Sequence, residues 1–326
     1  MFRLLGILLA TFFETVRARG RRGPLRPSWN FQFEWVIAFL RRDFSESGNW
    51  PYERLRADVD RRPYPAKALK EVVLEDAEIA GIPALRVKPK GRSPRAGLLL
   101  FLHGGSYIFG SAKTSHRDLV TQLAAKTGVE VLALDYRLAP EHPYPAALED
   151  VLAVLTALEA RGEDLARVVI AGDSAGGNLA LVAQLARRDR GKKQCGRAVL
   201  ISPWLDLTSS RPSARANDAC DYGQTSFLLR HARDFAGSVE LADPRVSPIN
   251  AELAGLAPVR VIAGTAERLF DESCEFVERA RAKGVDVAIH QAVDMPHNPP
   301  VLAVYHAEAA RALDETARFI SEGLPS

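Results

Sequence analysis

The residues best placed for covalent chemistry stand together at Gly172-Asp173-Ser174-Ala175-Gly176. A serine hydroxyl is a weak nucleophile until a base reaches it and its surroundings hold it exposed. A strand that bends sharply into a helix lifts the serine onto the bend, and glycines two before and two after leave room for the tight turn. That context is present here. Val168, Val169 and Ile170 form a β-branched apolar run that reads as a buried strand, and a helical pattern covers 179–186. The free N–H groups at the start of such a helix favour a developing oxyanion. The bare pentapeptide also fits a glycine-rich turn with a surface serine. The flanking strand and helix favour the nucleophile.

A second glycine pair supports it. Residues 98–102 are a continuous apolar run, read as a fully buried strand, and lead into His103-Gly104-Gly105-Ser106-Tyr107. Consecutive glycines permit a backbone approach that any Cβ would block. The N–H groups of Gly104 and Gly105 are expected to point at a carbonyl oxygen above Ser174, with Ala175 N–H as a further donor.

The elements that must position these groups follow a rhythm. Strands are expected at 72–79 and 84–87, joined through Gly81-Ile82-Pro83, with a polar turn at 92–95. Then come a helix around 119–125, a strand at 129–134, a helix at 146–158, and strands at 198–201 and 259–263. A helix at 271–282, a strand at 285–293 and a closing helix at 301–320 complete the chain. Such alternation implies a mostly parallel sheet covered on both faces.

Two stretches break the rhythm. Residues 1–65 are rich in arginine and aromatics, and Phe31, Trp35 and 37–40 fit a helix; 203–248 is polar and turn-rich, with one helical stretch at 227–235. They are expected to close over the carboxyl ends of the strands, where ligand crevices of open α/β sheets lie. The expected organisation is an N-terminal cap segment at 1–65, a core at 66–202 and 249–326, and an inserted cap segment at 203–248.

Composition narrows the class. Of 326 residues, 47% are hydrophobic and 25% charged, as in ordinary soluble globular proteins. A net charge of +3 is too small to argue for a nucleic-acid partner. Cys195, Cys220 and Cys274 are odd in number and widely spaced, which offers neither a metal spacing nor a disulfide framework and suits the reducing cytoplasm. Residues 4–13 are apolar except Thr11, and Arg17, Arg19, Arg21 and Arg22 follow. The run is too short to span a bilayer. A helix packed on the protein is the preferred reading; peripheral membrane contact through residues 1–22 is the alternative.

Together the two glycine stretches resemble the hormone-sensitive lipase branch of the α/β-hydrolase carboxylesterases (bacterial family IV). That family carries His-Gly-Gly-Gly before a Gly-Asp-Ser-Ala-Gly elbow. Asp135-Tyr136-Arg137-Leu138-Ala139-Pro140-Glu141-His142-Pro143 and Ser202-Pro203-Trp204-Leu205-Asp206-Leu207 are similar to further family motifs. The resemblance runs over roughly residues 70–310. It implies an α/β-hydrolase fold with about eight strands and a helical cap. It also implies hydrolysis of short- to medium-chain carboxylic esters through an acyl-enzyme, with no cofactor and no metal. A membrane-associated lipid or sterol-ester deacetylase and a non-catalytic ligand receptor on the same scaffold are the alternatives. A homodimer is a further expectation. Ser106 departs from the pattern, standing where the family most often has its third glycine.

In this fold the acid and then the histidine follow the serine. Among His231, His290, His297 and His306, His297 sits just past a strand end, in Met295-Pro296-His297, and the family's histidine follows a similar Met-Pro. Asn298-Pro299-Pro300 replaces the usual Gly-Phe after it. The family's catalytic Asp corresponds to Glu267, which stands ahead of Asp271, whose position suits a helix N-cap. Asp173 reads as a structural hydrogen-bonding partner, Asp135 and Arg137 as an ion pair or network under the oxyanion loop, and Trp204 and Tyr107 as core aromatics rather than pocket walls.

Overall fold

The computed structural model describes the chain except residues 1, 63–66, 92–94, 224, 323, 325 and 326. The expected turn at 92–95 therefore lies mostly outside the described residues, as does the expected boundary between 65 and 66.

Eight strands form one sheet: β1 (Val72–Ile79), β2 (Ile82–Pro89), β3 (Arg95–Leu102), β4 (Val129–Leu134), β5 (Val168–Asp173), β6 (Arg197–Ile201), β7 (Val259–Gly264) and β8 (Val287–Ala292). Their order is β1-β2-β4-β3-β5-β6-β7-β8. β1 and β2 form an antiparallel hairpin, β2 pairs antiparallel with β4, and every pairing from β4 to β8 is parallel. The hairpin bends at Ala80 and Gly81, both at positive φ, so Ile82 and Pro83 already belong to β2.

Side chains alternate across the central strands. Leu100, Leu102 and Ile170 enter the core on one face of the sheet; Leu99, Phe101, Val169 and Ala171 enter the other. Both faces are dry because helices cover both, which is why these strands read as unbroken apolar runs. Those helices are α4 (Arg117–Thr127), α5 (Ala146–Ala160), α6 (Ala175–Asp189), α9 (Phe270–Ala282) and α10 (Ala307–Ser321).

The closing helix starts later than its pattern suggests. Asn298 takes a left-handed conformation, Pro299–Leu302 makes one tight 3-10 turn, and His306 caps α10 by accepting from Glu308 N–H at 3.1 Å. α9 likewise begins one residue before Asp271, whose carboxylate accepts from Ser213 N–H at 2.7 Å instead of capping the helix.

Residues 2–62 supply α1 (Phe2–Arg22), α2 (Phe31–Ser47) and α3 (Tyr52–Asp60); the insertion expected between β6 and β7 supplies the short α7 (Ser213–Ala216) and α8 (Thr225–Ala236). Asn30 caps α2, accepting from Phe33 N–H at 2.8 Å. The two segments hold each other. Phe44 stacks on Tyr222 with ring centroids 5.8 Å apart, Arg41 donates to Ala219 O at 2.8 Å, and Tyr52 hydroxyl donates to Asp234. Arg56 of α3 reaches down to Ile108 O and Ala139 O, both at 2.6 Å, tying this roof to the loops above the sheet.

Candidate active site

Ser174 sits on the bend between β5 and α6 with φ +54° and ψ −118°. That conformation is costly for a residue with a side chain and persists only when its surroundings enforce it. They do. Ser174 N–H donates to Ile201 O at 2.9 Å. A Cβ on Gly176 would come within 2.0 Å of Leu102 O, so the helix can start this close to β3 only with glycine there. One turn on, Asn178 donates to Trp204 O at 2.6 Å and Val246 O at 2.9 Å and accepts from Tyr107 hydroxyl at 2.7 Å.

The loop after β3 passes beside this bend. Gly105 has φ +114°, and a Cβ there would meet Phe109 O at 1.9 Å. Ser106 takes φ +54°, a region glycine enters more easily, which accounts for the family's third glycine at this place. The donor expected at Gly104 is corrected: its N–H donates to Asp173 Oδ1 at 2.9 Å and also lies 3.2 Å from His116 Nε2. Gly105, Ser106 and Ala175 N–H have no acceptor among the described residues. The free N–H of Ser106 carries no sequence signal, since it follows from the loop's fold and not from a glycine.

Asp135 and Arg137 do not pair. Asp135 accepts from Ala112 N–H at 2.7 Å and steadies the far end of the loop, while Arg137 binds Asp150 of α5 at 2.7 Å. Tyr136, between them, donates to His103 O at 2.6 Å and stacks on the His103 ring.

His297 follows β8 on a loop pinned by the insertion. Its N–H donates to Asp221 Oδ1 at 3.1 Å and its carbonyl accepts from Tyr222 hydroxyl at 2.7 Å. Its Nδ1 lies 3.9 Å from Glu267 Oε2, longer than a hydrogen bond. Ser202 Oγ holds that same oxygen at 2.5 Å and accepts in turn from Asn298 N–H at 2.9 Å. Asn298 Nδ2 donates to Asp173 Oδ2 at 2.7 Å. The other histidines lie elsewhere: His231 is buried in α8, His290 is on β8 and His306 caps α10.

Ser174, His297, Gly105 and Ser106 line one cavity of about 460 Å³. Its walls are largely apolar: Trp35, Phe39 and Phe44 from α2, Tyr222 and Phe227 from the insertion, and Leu8 from α1. Tyr107 and Trp204 are fully buried outside it, Tyr107 stacked on Phe235. Among the described residues no three His, Cys, Asp or Glu side chains are grouped as a metal site requires.

The family pattern described as alpha/beta hydrolase fold matches residues 99–300, more than half of the chain. The chain belongs to this family. An esterase of Acinetobacter venetianus is 34% identical over 76% of this chain and 82% of its own length. A crystal structure of an esterase from the bacterial hormone-sensitive lipase family superposes with a TM-score of 0.76 at 30% identity, covering 97% of this chain and 98% of that one. The esterase EstE5, in a crystal soaked with p-nitrophenyl butyrate, gives 0.80 at 30% identity over 88% of this chain and 97% of that one.

In this α/β hydrolase three carboxyl groups surround the imidazole. Burial pushes the His297 pKa below the ordinary histidine value, and the charges of Asp221 and Asp173 push against it. Burial holds the Glu267 carboxyl well above the usual range, opposed by the Ser202 hydrogen bond and reinforced by Asp221. Burial also pushes Asp173 up, but His116, His297 and His103 outweigh it and the net direction is down. Asp173 accepts from Gly104 N–H and from the Asn298 side-chain amide, as a carboxylate does. It holds the loop after β3 through Gly104, His116 at the head of α4, and the His297 loop through Asn298.

Proposed function

We propose that Ser174 is the nucleophile, His297 the general base and Glu267 the acid that orients it, in a serine carboxylesterase acting through an acyl-enzyme. His297 takes the Ser174 proton as Oγ attacks the ester carbonyl. The charge on the carbonyl oxygen is received by the free N–H groups of Gly105, Ser106 and Ala175, each donor lowering the barrier by about 3 kcal/mol. The imidazolium offsets the desolvation of Glu267, so the carboxylate gains most where the transition state carries charge. The 3.9 Å gap fits this role, because catalytic hydrogen bonds are often long without substrate and tighten in the complex. His297 then protonates the leaving alcohol, and water repeats the sequence on the acyl-enzyme.

The chain is a carboxylic ester hydrolase. The observation that carries this residue assignment is that Ser174, on its strained bend, opens into the same cavity as His297. The cavity's size and apolar walls support short- to medium-chain acyl groups. A ligand receptor on this scaffold has no use for a serine held at positive φ in the same cavity as a histidine. A fluorophosphonate reagent should label Ser174 covalently, and Ser174→Ala should lose both labelling and turnover of p-nitrophenyl butyrate. Turnover retained by Ser174→Ala overturns the assignment.

A further inference from the structure

α1 has two unlike sides. The inner side buries Ile7, Thr11 and Thr15, and Trp35 of α2 donates to Leu8 O at 3.1 Å. The outer side leaves Leu5, Leu9, Phe13 and Val16 bare, between 48% and 67% exposed. Their spacing of four, four and three puts them in one stripe. Single exposed apolar side chains need no explanation, whereas a continuous stripe marks a contact surface. Among the described residues the other exposed large hydrophobic side chains are Val73, Val293 and Tyr305, none of them on α1.

Charge identifies the occupant. Arg17 and Arg21 follow the stripe, exposed and without an acidic partner among the described residues. The acidic residue of α1, Glu14, is taken up by Arg42 at 2.8 Å. A stripe that ends in unpaired guanidinium groups complements phosphate. We infer that this face of α1 docks on an anionic lipid surface, with Leu5, Leu9, Phe13 and Val16 entering the acyl boundary and Arg17 and Arg21 meeting headgroup phosphates. No helix among the described residues is long and apolar enough to cross a membrane, so α1 lies along the surface. The inner side supplies a reason for such docking: Leu8 lines the cavity beside Ser174, so one helix separates the lipid from the site. That last point rests on the esterase reading; the docking does not.

The test is flotation of the full chain with vesicles of phosphatidylcholine alone or mixed with phosphatidylglycerol. The protein should float with the anionic vesicles, and the bound fraction should fall about tenfold in high salt, in the double variant Leu9→Glu/Phe13→Glu, and in Arg17→Glu/Arg21→Glu. Turnover of soluble p-nitrophenyl butyrate without vesicles, unchanged in these variants, shows that they fold. Wild-type protein left unbound, equal binding to neutral vesicles, or binding untouched by the variants overturns the inference. So does light scattering that shows a dimer dissolved by Leu9→Glu/Phe13→Glu in a protein that ignores vesicles. Flotation is read without turnover, so failure of the esterase assignment leaves its result distinct.

Discussion

Asn298 donates its side-chain amide to Asp173 at 2.7 Å, joining the residue after the proposed base to the residue before the proposed nucleophile. The contact bridges 125 positions of sequence. It locks the end of β5 to the His297 loop, which must keep register for the proposed proton transfer. Asp173 is buried, and a hydrogen bond to a buried carboxylate contributes about 1.5–3 kcal/mol. Asn298→Gly keeps the left-handed backbone and removes the amide. It should lower kcat on p-nitrophenyl butyrate about tenfold with KM little changed, and lower the melting temperature. Asn298→Asp should be worse, since it sets a second carboxylate against the first. Unchanged kcat in Asn298→Gly would show that the two segments hold register without this bond.

Glu267→Gln tests the acid. Glutamine fits the space but does not stabilise an imidazolium, and kcat should drop by roughly 10³–10⁴. Ser202→Ala leaves Glu267 Oε2 and Asn298 N–H each without its present partner. Its effect should be smaller, about tenfold in kcat. If Ser202→Ala matches Glu267→Gln, Ser202 and not Glu267 governs the imidazole. Rates of fluorophosphonate labelling give an independent reading.

The pH profile should report His297. Only the neutral imidazole accepts the Ser174 proton. Burial lowers its pKa from the ordinary 6.5, so neutral base persists below that pH and the acid limb of kcat/KM should lie below 6.5. Asp221 favours the imidazolium. Asp221→Asn removes that charge, lowers the histidine pKa further and should move the limb to still lower pH. A limb that stays in place would show that Asp221 acts on His297 only by holding its backbone.

Ser106→Gly separates side chain from backbone. The left-handed conformation costs a serine about 1–2 kcal/mol, and the extra freedom of glycine in the unfolded chain returns about 0.5–1 kcal/mol. The net gain should lie between about 0 and 1.5 kcal/mol, visible as at most a modest rise in melting temperature. Turnover should persist, because the proposed donor is the N–H. Loss of turnover would assign the work to the hydroxyl.

Much of this was readable in the chain itself. The runs at 98–102 and 168–170 are strands because both faces of the sheet are covered, and such strands leave an unbroken apolar mark. The elbow was legible because local crowding demands glycine at fixed offsets from Ser174. Local patterns also located the helix around 227–235 and the loop carrying His297.

What the sequence alone determined, then, is whatever neighbouring residues decide: the alternation of strands and helices, the glycine offsets of the elbow, and which histidine follows a strand end. The tertiary structure decided where each hydrogen goes. Gly104 N–H is lost to Asp173, Ser106 N–H is left free, Arg137 turns to Asp150, and Asp221 comes from the insertion to hold His297. The physical reason is that a polar group buried in the fold takes whichever partner is nearest in space. Here those partners lie on elements far apart along the chain.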